Sequence, residues 1–107
     1  MSSRIHRVDE VVVAATIAFP DDTPNFVVAA RGQAATPGWS NEHLSRHVYL
    51  TQPADGIQDY DFVADPPTGP TPDVLTAITV IELKSLPNWV KGVRIHSATN
   101  DKEYLIP

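Results

Sequence analysis

Apolar and polar positions alternate with a period of two through most of the chain, in short runs set off by proline and glycine. The first run, "VVVAATIAF" from Val11 to Phe19, places Val11, Val13, Ala15, Ile17 and Phe19 on one face and Val12, Ala14, Thr16 and Ala18 on the other. Both faces are largely apolar, which predicts a strand covered on both sides, or on one side by the core and on the other by a loop. "PDDTPN" breaks the run, and "FVVAARGQA" from Phe26 resumes the alternation, so a hairpin is the simplest join, with Gly32 marking a bulge. "HVYLTQ" from His47 and "GIQDYDFVA" from Gly56 predict a second pair, joined by "PADG" as a type I turn in which the glycine supplies positive φ. "VLTAITVIEL", Val74 to Leu83, is rich in β-branched residues and reads as strand rather than helix. "WVKGVRIHS" and "KEYLI" complete the set, with the turn composition "ATND" between them.

Seven short strands with turn signals between them predict an all-β fold: a single domain over residues 1–107, built as an antiparallel β-sandwich of immunoglobulin-like or jelly-roll-like type, with a small β-barrel as the alternative. The expected core is Val11, Val13, Ile17, Phe26, Val28, Tyr60, Phe62, Ile78, Val80, Val93 and Ile95. The proline-rich "DPPTGPTP", Asp65 to Pro72, forces extended geometry and is expected to be a stiff crossover between sheets.

Composition narrows the function classes. A net charge of −5 with only eight scattered Lys and Arg argues against nucleic-acid binding. No cysteine is present, so disulfides, thiolate catalysis and zinc–thiolate or iron–sulfur centres are excluded. The polar N-terminus lacks the apolar stretch of a signal peptide, and no run approaches the roughly 20 residues that span a bilayer, so a soluble cytoplasmic protein with no membrane partner is expected.

Candidate chemistry lies in a few places. "GWSNEHLSRHVYL" holds His43 and His47 four residues apart. On a helix the two would share a face and one metal; on a strand the spacing separates them by roughly 13 Å, too far for one ion. Pro37 and Gly38 leave little room for a helix, and Ser40 suits a cap, so a capped turn leading into a strand at His47 is expected. "DGIQDYDFVAD" puts Asp59, Asp61 and Asp65 on one parity and Tyr60 and Phe62 on the other, predicting aspartates on a solvated face that protects an edge strand. Trp39 and Trp89 sit at loop–strand borders, where tryptophan either plugs the edge of a core or anchors a partner. Arg94 and His96 share a parity opposed to Val93 and Ile95, and Arg94 is expected to pair with Asp59 or Asp61 across a sheet face.

No nucleophile elbow, phosphate loop or dinucleotide fingerprint occurs. The reading that follows is a small binding or assembly module, non-enzymatic and without cofactor, acting through loops or an exposed sheet face. Trp39, Trp89, Arg94 and His96 are its candidate contact residues, and its partner is another protein or itself. The apolar first strand and the Leu105–Ile106 terminus favour a homo-oligomer. The rival is a small metal-binding protein or metal-assisted hydrolase using His43, His47, Asp55 and Asp59.

Overall fold

The computed structural model describes residues 2–16 and 25–106. They form eight strands and no helix: β1 (Ser3–Arg4), β2 (Arg7–Ala15), β3 (Asn25–Ala34), β4 (Ser40–Arg46), β5 (Ile57–Asp65), β6 (Thr76–Ser85), β7 (Gly92–His96) and β8 (Asp101–Leu105). The all-β expectation holds, with one strand more than anticipated, because the polar N-terminus supplies the two-residue β1. Ile17 and Phe19, and residues 20–24 of the "PDDTPN" break, lie outside the described residues, while Asn25 already belongs to β3.

The strands make two sheets, the layer arrangement of a β-sandwich, and no backbone ladder among the described residues closes them into a barrel. The smaller sheet is β2-β3-β6, antiparallel throughout. The larger has β5 at its centre, with β4 along one edge and β1 and β7 sharing the other, and β8 beyond β7. The pairing is antiparallel except between β5 and β7, which run parallel, Ile57 opposite Gly92 through Asp61 opposite His96. That pair corrects the wholly antiparallel expectation. Gly92 fits there because Ile57, Leu105 and the carbonyl of Tyr104 crowd the space a side chain would fill.

The core lies between the sheets. Val11, Val13, Val28, Ala30 and Val80 face inward from the smaller sheet, and Leu44, Tyr60, Phe62, Ala64, Val93 and Ile95 from the larger. Ile5, Val8 and Leu86 complete it, and Phe26 and Ile78 pack at its margin. The period-two reading of the core is therefore sound for every expected residue that is described. Side chains stitch the open sides. Asn100 accepts from the Val8 amide at 2.9 Å and donates to the Val8 carbonyl at 2.8 Å, tying the β7–β8 turn to β2. Glu82 on β6 accepts from the Leu44 amide on β4 at 3.1 Å. The proline-rich segment carries the chain from β5 in one sheet to β6 in the other, as its composition implies.

The register of β4 departs most from expectation. "SNEHLSR" is strand and not a capped turn, paired to β5 from Ser40 opposite Asp65 to Arg46 opposite Tyr60. A bulge between Ser40 and His43, with Asn41 at φ 54°, absorbs the misfit after Pro37 and Gly38. The expected strand from His47 leaves the ladder after the His47 amide bonds the Asp59 carbonyl at 3.0 Å. The "PADG" turn is where its residues place it: the Gly56 amide donates to the Pro53 carbonyl, and Gly56 has φ 71°.

Candidate functional site

β5 is a central strand, so Asp59 and Asp61 do not guard an edge as the alternation suggested. They project from the outer face of the larger sheet, and their side chains are only 15% and 26% exposed because basic and imidazole groups gather over them. Parallel pairing sets Arg94 opposite Asp59 and His96 opposite Asp61. From there His96 Nε2 lies 2.7 Å from Asp59 Oδ1, and Arg94 Nη1 donates to the same oxygen at 3.2 Å. The expected pairing of Arg94 with Asp59 is thus present. The other arm of Arg94 reaches Glu103 of β8 at 2.8 Å and Asp55 at 3.6 Å.

The loop after β4 supplies the remaining groups. His47 Nε2 lies 2.9 Å from Asp61 Oδ1, which also accepts from Arg4 of β1 at 2.8 Å. The His47 and His96 rings stack nearly parallel, centroids 5.3 Å apart and planes 8° apart. Two residues on, Tyr49 turns back to the sheet. Its hydroxyl donates to Asp59 Oδ2 at 2.6 Å and accepts from the Asp59 amide at 2.8 Å. The Gln58 side-chain amide donates to the His47 carbonyl at 3.0 Å. Side chains thus replace the ladder that residues 47–52 leave.

The electrostatics follow from this geometry. Burial pushes the Asp59 carboxyl up, but hydrogen bonds from Tyr49 and His96 and the nearby His96 and Arg94 charges outweigh it and hold the group below its usual range. Burial, followed by the hydrogen bond to Asp59, pushes the Tyr49 hydroxyl up to about 12. Burial pulls the Arg94 guanidinium down, but Glu103 and Asp59 more than compensate and raise it. Asp59 is therefore an anchored anion with donors on both oxygens.

Beside the cluster runs a groove of about 380 Å³ whose walls include Arg46, His47, Tyr49, Leu50, Gln58 and Trp89. Tyr49 and Trp89 meet edge to face at 6.2 Å. Val48 and Leu50 stand wholly in solvent along it.

Six of the eight residues singled out by sequence converge here: Trp89, Arg94, His96, His47, Asp55 and Asp59. The other two do not. Trp39 packs against the core and donates from Nε1 to Thr36 Oγ1 at 3.1 Å, the edge-plugging role. His43 bonds the Asn41 carbonyl at 2.8 Å and contributes nothing to the cluster. Of the rival reading's set His43, His47, Asp55 and Asp59, His43 stands apart, while His47, Asp59 and His96 offer ligand atoms all within 4.8 Å of one another. Sequence reasoning overlooked Tyr49, Glu103 and Arg4. For Tyr49 and Arg4 no local signal exists. Glu103 shares the parity of Asp101 on the closing strand, facing Arg94 across a hairpin that the "ATND" turn implied.

A second feature lies on the opposite side of the sandwich. The outer face of β2-β3-β6 carries the cross-strand rows Ala14–Val27–Leu83, Val12–Ala29–Ile81 and Glu10–Arg31–Thr79. Val12 is 42% exposed, and Ile81 and Leu83 are each 68% exposed. The first run's two apolar faces suggested cover on both, but Val12 and Ala14 are exposed and no other described residue covers them. Ala29, the smallest member of its row, leaves a depression of about 180 Å³ floored by Ala29 and Ala30 and rimmed by Val12, Ile81 and the Glu10–Arg31 ion pair. No family model, curated protein or solved structure matches the chain.

Proposed function

We propose that the protein is a small non-enzymatic assembly module that pairs with a second copy of itself through the outer face of the β2-β3-β6 sheet. The observation that carries this reading is the uncharged outward row of β6, Ala77-Thr79-Ile81-Leu83, beside the Ala29 depression. A face of this kind is costly to leave in water, at roughly 25 cal/mol for each Å² of apolar surface. Its relief is self-complementary: about a two-fold axis, Ile81 of one copy enters the Ala29 depression of the other while the reverse contact forms at the same time. Arg31 and Glu10 sit at the rim, 3.0 Å apart, where a symmetric partner offers each of them a second opposite charge. The chain's net charge of −5 works against close approach of two copies, so the apolar face has to supply the attraction and salt should strengthen the pairing.

Sedimentation at micromolar concentration tests this. The wild type is expected to run as a dimer or larger closed assembly, and Ile81→Asp as an 11.7 kDa monomer with an unchanged β-type circular dichroism spectrum. A wild type that remains monomeric at physiological salt and at about 100 μM, a concentration that populates any complex with a Kd well below that value, would overturn the proposal.

A further inference from the structure

Within the folded chain, His47, Asp59 and His96 come from three separate places: the loop after β4, the middle of β5 and the end of β7. Both imidazoles aim Nε2 at carboxylates of one strand, and their rings lie almost in parallel planes. We propose that these three side chains form a binding site for one zinc-type divalent cation, with His47 Nε2, His96 Nε2 and an Asp59 oxygen as ligands. The site is separate from the assembly face and does not depend on it.

Three arguments support the assignment. The first is geometric. The ligand atoms already lie within 4.8 Å of one another, and His96 Nε2 is 2.7 Å from Asp59 Oδ1. Ligands at about 2.0–2.1 Å from a tetrahedral zinc stand about 3.3 Å apart, so a modest inward rotation of the rings completes the set. In the metal-free chain each Nε2–H bridges to a carboxylate; to ligate a cation through Nε2, each neutral imidazole takes the tautomer with its single proton on Nδ1, which frees the Nε2 lone pair.

The second argument is charge. Asp55, Asp59, Asp61 and Glu103 surround the cluster, against the guanidinium groups of Arg94 and Arg4. With neutral imidazoles this leaves a net charge of −2 to receive a divalent ion. Arg94 keeps Glu103 and Asp55 when Asp59 Oδ1 turns to the metal, and Arg4 keeps Asp61 when His47 does. No buried cation is stranded by the exchange.

The third is support behind the ligands. The Tyr49 hydroxyl holds Asp59 Oδ2 at 2.6 Å and fixes the carboxylate plane, the outer hydrogen bond that metal-bound carboxylates usually have. The His47 amide is bonded to the Asp59 carbonyl and its own carbonyl to Gln58, so the loop ligand is tied to the strand that bears the second ligand. Two imidazoles and one carboxylate suit zinc, cobalt or nickel, whereas magnesium and calcium take oxygen ligands almost exclusively.

The test uses the full chain, purified without an affinity tag and stripped with a chelator. Calorimetric titration with zinc chloride is expected to give one ion per chain, and one equivalent of zinc to raise the melting temperature by several degrees. Magnesium chloride at the same concentration should do neither. His96→Ala is expected to weaken zinc binding by at least about tenfold, since even outer-shell changes cost 10–100-fold. His43→Ala and Ile81→Asp should bind as the wild type does, the second separating this site from the assembly face. Should His96→Ala lose its β spectrum, His96→Gln takes its place with the same expectation. Absence of zinc uptake by the wild type at about 100 μM, the weak end of the micromolar range, would overturn the proposal. So would wild-type affinity in His96→Ala, or loss of binding in His43→Ala.

Discussion

At the scale of single residues, Asp59 and Tyr49 show how a sheet surface can hold an ordered polar group outside the core. Asp59 accepts from three side chains, and Tyr49 both donates to its carboxylate and accepts from its amide. The three side-chain bonds stabilise the ionised carboxylate, and the one that Tyr49 donates also favours the neutral phenol, while the bond from the Asp59 amide opposes it more weakly. The consequence for pH is directional. Tyr49 has a pKa of about 12 in the folded chain, above its ordinary value of 10.0, so the neutral hydroxyl is favoured by folding. That contribution is complete below pH 10 and is lost as pH rises from there to about 12. Spectrophotometric titration should show a tyrosine phase displaced toward pH 12, and Tyr49→Phe should remove that phase. The urea midpoint of the wild type should also fall more steeply across the same interval than that of Tyr49→Phe. A full complement of tyrosines titrating together near pH 10 would contradict the geometry.

Among the elements, the β2–β3 pair illustrates how one glycine governs a ladder. The register slips between Val8 and Glu10, so the bulge lies on β2, opposite the Gly32 that signalled it. Gly32 is buried, and a side chain there would run into the Arg7 carbonyl and the end of Ile5. Its φ is not positive, so close approach and not backbone freedom requires the glycine. Gly32→Ala is therefore expected to destabilise the fold by about 1–3 kcal/mol, the range of overpacked sites. Chemical denaturation would measure it, and a change within about 0.5 kcal/mol would mean that β2 shifts freely. The bulge was legible in the sequence because glycine within an alternating run has few other uses. The position of β4 was not. "SNEHLSR" carries one apolar residue, Leu44, whereas "HVYLTQ" has the composition of a strand. The ladder nevertheless took the first. Leu44 alone had to reach the core, at 3% exposure, and the Tyr49 hydroxyl satisfied the Asp59 amide that a longer ladder would have used.

For the molecule as a whole, two sheets enclose one apolar layer centred on Tyr60 and Phe62, both fully buried. Arg46 and Lys84 approach the Tyr60 ring at 5.8 Å and 5.4 Å, sealing the β4–β6 side with their stems while the charges stay near water. Phe62 has no polar atom and no exposed surface, so Phe62→Ala leaves a cavity that neighbouring strands fill poorly. A loss of roughly 3–5 kcal/mol is expected in urea unfolding. A loss below about 1 kcal/mol would mean that the layer collapses around the gap. The two outer faces then divide the surface by chemistry, charged and imidazole-bearing over β5 and β7, apolar over β2-β3-β6.

The all-β class, the turns at "PADG" and "ATND" and the inward parity of β2, β3, β5, β6 and β7 were determined by the sequence alone. All three rest on local physics: β-branched residues favour extended backbone, glycine admits positive φ at residue 56, and successive side chains alternate across a pleat. Parity also placed Asp59 with Asp61, and Arg94 with His96, on outward faces before any fold was known. Which strands became neighbours was decided only by tertiary structure. The parallel pairing of β5 with β7 brings His96 onto Asp59 across 37 residues, and the departure of the chain after His47 swings a second imidazole over the same carboxylates. Strand adjacency follows from burying both sheets' apolar faces at once and from satisfying every buried amide and carbonyl. That is a property of the whole chain, to which no single run of residues holds the key.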